Sequence, residues 1–389
     1  MSKLEVSNMF ELIENYSKNA VIKVIGVGGG GGNAVQSMLE SKIHGAEFIV
    51  ANTDAQALTD IKGATTVQLG AEITKGLGAG ADPEIGKQAA EEDKDKIRDA
   101  IMDTDMLFIA AGMGGGTGTG AAPVIAQCAH DMGILTVAVV TKPFDWEGTE
   151  RKKYADEGIE KLEDWVDSLI VLPNSKLEEV FGGDTSIFDC FGNANSALRG
   201  AVKGIAEIIT IRGLINVDFA DVKTVMSGKG KAMMGSGVAR GENRSEEAVQ
   251  FALSSPLLES IDLHGASGVL VNITAGEDLS VNEYNSIGAT IKQIAAEDAT
   301  IITGCIKEED TSGELRVTII ATGFDESTDS DSQESSSSDA IELKNQVEPL
   351  RPAQGAMFEN DSPHLSTEDT ERKDEDDLDI PAFLRQQAD

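Results

Sequence analysis

The chain has 389 residues, with 67 Asp and Glu against 32 Lys and Arg and a formal net charge of -35. That length accommodates two domains and a tail, and the charge argues against nucleic acid or anionic lipid as a direct ligand, because no Lys/Arg cluster offsets it. No apolar run approaches the ~20 residues of a membrane span, the N-terminus "MSKLEVSNMFELIENY" lacks a signal-peptide core and cleavage site, and the scattered Cys128, Cys190 and Cys305 fit a reducing compartment rather than zinc or disulfides.

Residues 1–20 read as a flexible N-terminal segment. "AVIKVIGV" predicts a buried strand, followed by a Gly-rich turn and the helix "NAVQSMLESKI". "AEFIVANTD" predicts a second strand. One helix is expected over "PEIGKQAAEEDKDKIRDAI", with Pro83 near its start, where proline is tolerated. "DMLFIAAG" predicts a strand, and "AAPVIAQCAHDMG" a helix ended by Gly133. Between them lies "AAGMGGGTGTGAAP", with six glycines in fourteen residues. "ILTVAVVTKP" and "DSLIVLP" predict two more strands, separated by a charged helix. This alternation implies an α/β domain over 21–186, built on a doubly wound parallel sheet that binds ligands at the carboxyl ends of its strands.

Ile187, Phe191, Ala194, Leu198, Val202, Ile205 and Ile209 recur at three-or-four spacing, which predicts one long central helix over 187–211. Residues 212–324 read as a smaller α+β domain, with helices in "SEEAVQFALSSPLLE" and "NEYNSIGATIKQIAAED" and strands in "GVLVNITAG", "ATIITGCI" and "ELRVTIIATG". From Asp325 to Asp389 there are 19 acidic and 5 basic residues. Residues 325–376 hold too few large apolar side chains to offset chain entropy and are expected to form a disordered acidic linker. Residues 377–389 regain apolar spacing. In "LDIPAFLRQQAD", Ile380, Phe383 and Leu384 fall on one face of a short helix, with Pro381 suited to its start. So short a helix is marginal alone and is expected to fold in a partner's groove.

The glycines carry the chemistry. "GVGGGGGNA" (Gly26 to Ala34) and "GMGGGTGTG" (Gly112 to Gly120) each follow a strand and open a helix. Glycine lets backbone amides approach an anion, and a helix N-terminus supplies free N–H groups and partial positive charge, so each turn is a candidate phosphate site. Thr117 and Thr119 add hydroxyls. "GVGGGG" matches the dinucleotide fingerprint GxGxxG, but weakly in so Gly-rich a run, and a second phosphate loop is surplus to a dinucleotide site. Neither loop carries the lysine of a Walker A motif, and the NKxD guanine reader is missing.

"GGGTGTG" (Gly114 to Gly120) resembles the signature loop of the tubulin/FtsZ family of bacterial division GTPases. The similarity runs from about Val21 to Gly323, with further matches in "NTDAQAL", "TKGLGAGADPEIG", "VDSLIVLPN", "NVDFADV" and "SSPLLE". The resemblance implies a tubulin-like fold that binds GTP and GDP, with Mg2+ whose protein ligands the sequence does not assign. It implies that Gly29, Gly30, Gly31, Gly32 and Asn33, with Gly115, Gly116, Thr117 and the following Gly118, Thr119 and Gly120, bind the phosphates. Glu147 and Arg151 would contact the ribose and nearby polar atoms, Asn195 would read the guanine edge, and Asn52 would line the same pocket. Read without the family, Glu147 and Arg151 are an exposed i,i+4 ion pair and Asn195 is equally a satisfied core amide.

"NVDFADV" supplies Asn216, Asp218 and Asp221 within the loop 213–221. Carboxylates there suit either the orientation of a water on a γ-phosphate or a helix cap and turn. In the family this loop enters the nucleotide site of the next subunit, so the resemblance implies a heterologous head-to-tail contact that generates filaments. One departure stands beside it: the family's usual "RPGLIN" is "IRGLIN" here, with Arg212 in place of proline. The terminal peptide, with Ile380, Pro381, Phe383 and Leu384, resembles the family's binding site for membrane adaptors of the actin-like FtsA and ZipA types. The implied location is cytoplasmic, at the midcell division site on the inner face of the membrane, without direct insertion. Two other readings stand beside this one: an NAD-dependent oxidoreductase, and a tubulin-like scaffold with degenerate catalysis.

Overall fold

Six parallel strands come first: β1 (Ile22–Val27), β2 (Ala46–Asn52), β3 (Thr65–Gln68), β4 (Met106–Gly112), β5 (Leu135–Lys142) and β6 (Ser168–Pro173). They are ordered β3-β2-β1-β4-β5-β6. Nearly every residue of β1, β4 and β5 is buried, as a sheet covered on both faces demands. Alternate residues serve opposite cores. Val24, Phe108 and Val137 face one side with Val35 and Met38, while Ile25, Ile109 and Ala138 face the other with Ile97 and Ile125. The structure, a computed structural model, describes residues 20–43, 45–181, 185–211, 213–228, 230–255, 258, 265–308 and 313–324. The expected N-terminal segment up to residue 19, Arg212, the acidic linker and the terminal peptide lie outside them.

The helices in chain order are α1 (Gly28–Glu40), α2 (Ala55–Thr59), α3 (Ala71–Thr74), α4 (Pro83–Glu92), α5 (Lys94–Ala100), α6 (Thr117–Asp131), α7 (Thr149–Glu163), α8 (Asn174–Phe181) and α9 (Ile187–Thr210). The long helix falls where its periodicity placed it. Ser186 caps it by accepting from the Asp189 amide at 3.1 Å. Its later turns bury Leu198, Val202 and Ile205, whereas Ile187 and Phe191, which belong to the same apolar spacing, are exposed. Those first turns run past the sheet core to the carboxyl ends of the strands.

After α9 come α10 (Phe219–Met226), β7 (Lys231–Arg240), α11 (Arg244–Leu253), β8 (Ala266–Ala275), α12 (Val281–Ile294), β9 (Thr300–Lys307) and β10 (Glu314–Phe324). Strand β7 pairs with β6 through Leu169–Lys231 and Ile170–Ala232 and carries the order on as β7-β10-β8-β9. Strand β10 is antiparallel to both of its neighbours.

Two local expectations are corrected. The helix expected over 83–101 is two, because the Asp93 carboxylate turns inward to accept from the Gly70 amide at 2.7 Å and the backbone breaks there. The helix expected from Asn33 begins five residues earlier: Gly28, at φ +71°, makes the turn by itself, and the glycine run is the first part of α1. Strand β7 was not foreseen, since its "GSG" carries no apolar alternation.

Candidate functional site

Strand order reverses between β1 and β4, which lie side by side with Val27 opposite Ala111. A doubly wound sheet opens a crevice at such a point, outside the carboxyl ends of its strands. Both Gly-rich segments leave the sheet there and continue into α1 and α6. Neither helix has an acidic residue in its first turn, so the free amides and helix dipoles meet no competing carboxylate.

The result is a cleft of about 350 Å³. Gly29, Gly30 and Asn33 of α1, Gly115, Gly116, Thr117 and Gly118 of the second loop, Glu147, Arg151 and, from α9, Asn195 all line it. Gly29 and Gly115 face open space: a Cβ on either would meet nothing within 4 Å. The Thr117 hydroxyl is held by the buried Thr53 hydroxyl at 2.6 Å. Glu147 and Arg151 form the i,i+4 pair expected from spacing, at 2.8 Å. The other Glu147 oxygen accepts from the Phe144 amide at 2.9 Å, which fixes the short helical turn Asp145–Glu147 against the rim. On that turn the neighbouring Lys152 holds the Asp145 carboxyl below its ordinary range.

Other expected site residues are elsewhere. A Cβ on Gly31 would lie 2.3 Å from the Ala110 carbonyl, and one on Gly120 would lie 1.9 Å from the Pro83 carbonyl. These two glycines let α1 pack on β4 and α6 pack on α4. Gly32 faces Ile61 and Val50. Thr119 is buried, its hydroxyl accepting from the Gly114 amide at 2.8 Å, so it pins the loop from behind. Asn52 is buried and its side-chain oxygen accepts from the Asp54 amide at 3.3 Å. None of these five lines the cleft.

Asn174 was not foreseen. It follows β6, is 4% exposed and lines the cleft, and its Oδ1 has no hydrogen-bond partner. An unsatisfied buried carbonyl costs about 1–3 kcal/mol, and a ligand N–H or O–H would relieve it. The available signal was a polar residue set directly after a buried strand, at the end where ligands bind. Phe191 also lines the cleft, one turn before Asn195 on α9.

Asn216, Asp218 and Asp221 are exposed and do not line this cleft. The Asn216 side-chain oxygen accepts from the Gly213 amide at 2.7 Å and shapes the loop. Asp218 stands at the N-cap position of α10 but makes no side-chain cap hydrogen bond, and Asp221 lies in the first turn. The Asp218 carboxylate is therefore not committed to capping. From the cleft residue Asn195 to its end at Thr210, helix α9 puts a rise of about 22 Å between the two regions. The trio cannot reach the cleft of its own chain.

The tubulin/FtsZ family GTPase-domain model matches residues 21–182, and the FtsZ family C-terminal-domain model matches residues 230–325. Cell division protein FtsZ of Buchnera aphidicola subsp. Schizaphis graminum is 53% identical, over 98% of this chain and all of its own. The protein of the same name from Pseudomonas aeruginosa is 51% identical, again over 98% and 100%. Among solved structures, an empty FtsZ dimer from M. jannaschii aligns with a TM-score of 0.76 at 44% identity, over 83% of this chain and 93% of that one. CetZ2 from Haloferax volcanii, a GTPγS-bound protofilament, shares the fold at 20% identity and a TM-score of 0.67, over 79% of this chain and 94% of that one. With the switch-point cleft, its paired glycine turns and these matches along the whole length, the chain belongs to the FtsZ group of the tubulin/FtsZ family of GTPases.

Proposed function

We propose that GTP binds with its phosphates on the first turns of α1 and α6 and its base against α9, and that it is hydrolysed only when a second copy of the chain brings Asn216, Asp218 and Asp221 to the γ-phosphate. The observation that carries this is the separation of parts. Among the described residues the cleft's one lining carboxylate, Glu147, is committed to Arg151 and Phe144, while the exposed Asp218 and Asp221 lie beyond the far end of α9, about 22 Å along the helix from Asn195. Head-to-tail stacking unites them, and because that contact is heterologous and does not close, it builds a filament.

In the united site the glycine amides neutralise phosphate charge, Thr117 adds a hydroxyl, and Asn195 and Asn174 face the nucleoside. The neighbour's carboxylates orient a water whose oxygen attacks the γ-phosphorus as the bond to the β,γ-bridging oxygen breaks, leaving GDP and phosphate. Among the described residues no group of three or more His, Cys, Asp or Glu gathers to hold a metal. Of the groups at the phosphate end, the Thr117 hydroxyl oxygen would be the one to hold Mg2+ arriving with the nucleotide, since backbone N–H groups cannot ligate a cation. When bound, Mg2+ neutralises phosphate charge.

The filament would act in division at the septum, with the acidic linker holding it off the membrane and residues 377–389 docking on adaptors of the FtsA or ZipA type. The division into a GTP-binding part (21–186), central helix (187–211) and C-terminal part (212–324) belongs to the same reading. Phosphate release and light scattering with GTP test it. Wild-type turnover per subunit should fall on dilution below the assembly threshold. Asp218→Ala should keep GTP affinity while losing at least about 100-fold in turnover, the usual scale for a removed general base. Turnover independent of concentration, or undiminished in Asp218→Ala, would overturn the shared site.

A further inference from the structure

We propose that Trp146 is a positioning residue for the purine base, an inference that rests on the nucleotide reading above. The Phe144 and Trp146 rings stack at 4.9 Å and 10° into a two-ring slab. Phe191 stands edge-on to both, at 5.4 Å and 87° from Phe144 and 5.8 Å and 88° from Trp146. Phe144 is buried and Trp146 is 49% exposed, and neither lines the cleft itself, whereas Phe191, 41% exposed, does. Core packing does not account for a half-exposed tryptophan that packs on one cleft-lining residue, Phe191, and precedes another, Glu147.

The first turns of α9 explain the need for it. Ile187 and Phe188 beside Phe191 are largely exposed, so that end of the helix has little core to hold a ring in one rotamer. Trp146 and Phe144 supply the missing wall. Their own backbone is fixed because Glu147 accepts from the Phe144 amide and pairs with Arg151. The slab therefore sets the face that Phe191 presents to the base, one turn from Asn195, and an edge-to-face triad holds that ring at little entropic cost when ligand binds.

The chain has two tryptophans; Trp146 packs on the cleft residue Phe191, whereas the other, Trp165, packs edge-on against His130. The full chain, freed of nucleotide, is titrated with GDP by equilibrium dialysis and by tryptophan emission. The emission change should persist in Trp165→Phe and vanish in Trp146→Phe, which should keep the GDP Kd within about twofold because a six-membered ring still stacks. Trp146→Ala should raise the Kd about three- to tenfold, the scale of one lost aromatic edge contact, with the nucleotide-free Tm unchanged. Equal GDP affinity in Trp146→Ala and Trp146→Phe would overturn the proposal, as would a fall in Tm that accounts for the weaker binding. A wild-type chain that does not bind GDP in dialysis would instead overturn the nucleotide reading itself.

Discussion

Two glycines five residues apart, Gly115 in the loop and Gly120 in the first turn of α6, should fail in opposite ways when a single methyl is added. At Gly120 the new Cβ would sit 1.9 Å from the Pro83 carbonyl oxygen and 2.6 Å from the Lys87 amide nitrogen, both on α4. Ordinary contact begins at 3.4 Å, so α4 must retreat by roughly 1.5 Å. Overpacking of this kind costs about 3 kcal/mol, the upper part of its usual range. For a folded part of roughly 300 residues the unfolding entropy near Tm is about 0.6 kcal/mol/K, so Tm should fall by about 5 °C. GDP affinity should hold, because Gly120 does not line the cleft. At Gly115 the Cβ would meet no protein atom within 4 Å, so Tm should stay within about 1 °C. There the methyl enters space a phosphate must occupy to reach the amide. Losing one charge-assisted hydrogen bond should weaken GDP about ten- to a hundredfold. Scanning calorimetry of the nucleotide-free proteins and equilibrium dialysis with GDP read the two effects separately. Weakened binding at constant Tm in Gly120→Ala, or the reverse in Gly115→Ala, would refute this division of the glycines.

Arg244, buried between α11 and α12, donates to Glu283 and Asp278 at 2.7 Å each and holds the Glu283 carboxyl down at about 2. A lowered folded pKa contributes stability above the unfolded value near 4.5 that is lost as pH falls toward 2. After allowance for solvent at this partly exposed carboxylate, the contribution is about 2 kcal/mol. Urea unfolding of wild type and Glu283→Gln should therefore differ most above pH 4.5 and converge toward pH 2, and parallel curves would count against the ion pair. Deleting residues 377–389 should leave GTP turnover and assembly near wild type while abolishing co-sedimentation with adaptor-bearing vesicles. Undiminished co-sedimentation would show that the tether lies elsewhere.

What the sequence by itself determined was set by short-range physics. Buried β-strands such as "DMLFIAAG" and the 24-residue helix α9 announce themselves because period and burial are written in consecutive residues. The glycine turns announce themselves because no other residue tolerates the close approach they make, and "NVDFADV" places its carboxylates in one local loop. What the tertiary structure alone decided depends on partners distant in the chain. The eight candidate phosphate-loop glycines look alike in sequence, yet Gly29 and Gly115 open onto the cleft while Gly31 and Gly120 face backbone carbonyls of β4 and α4. Asp93 breaks a regular helical pattern because Gly70, 23 residues away, offers an amide. Asn174 becomes a cleft residue because the end of β6 lies beside the crevice at the switch point, and Asp218 is removed from that crevice because α9 stands between them. Local pattern specifies which element forms; which atom a side chain meets is fixed only when the sheet order brings remote segments together.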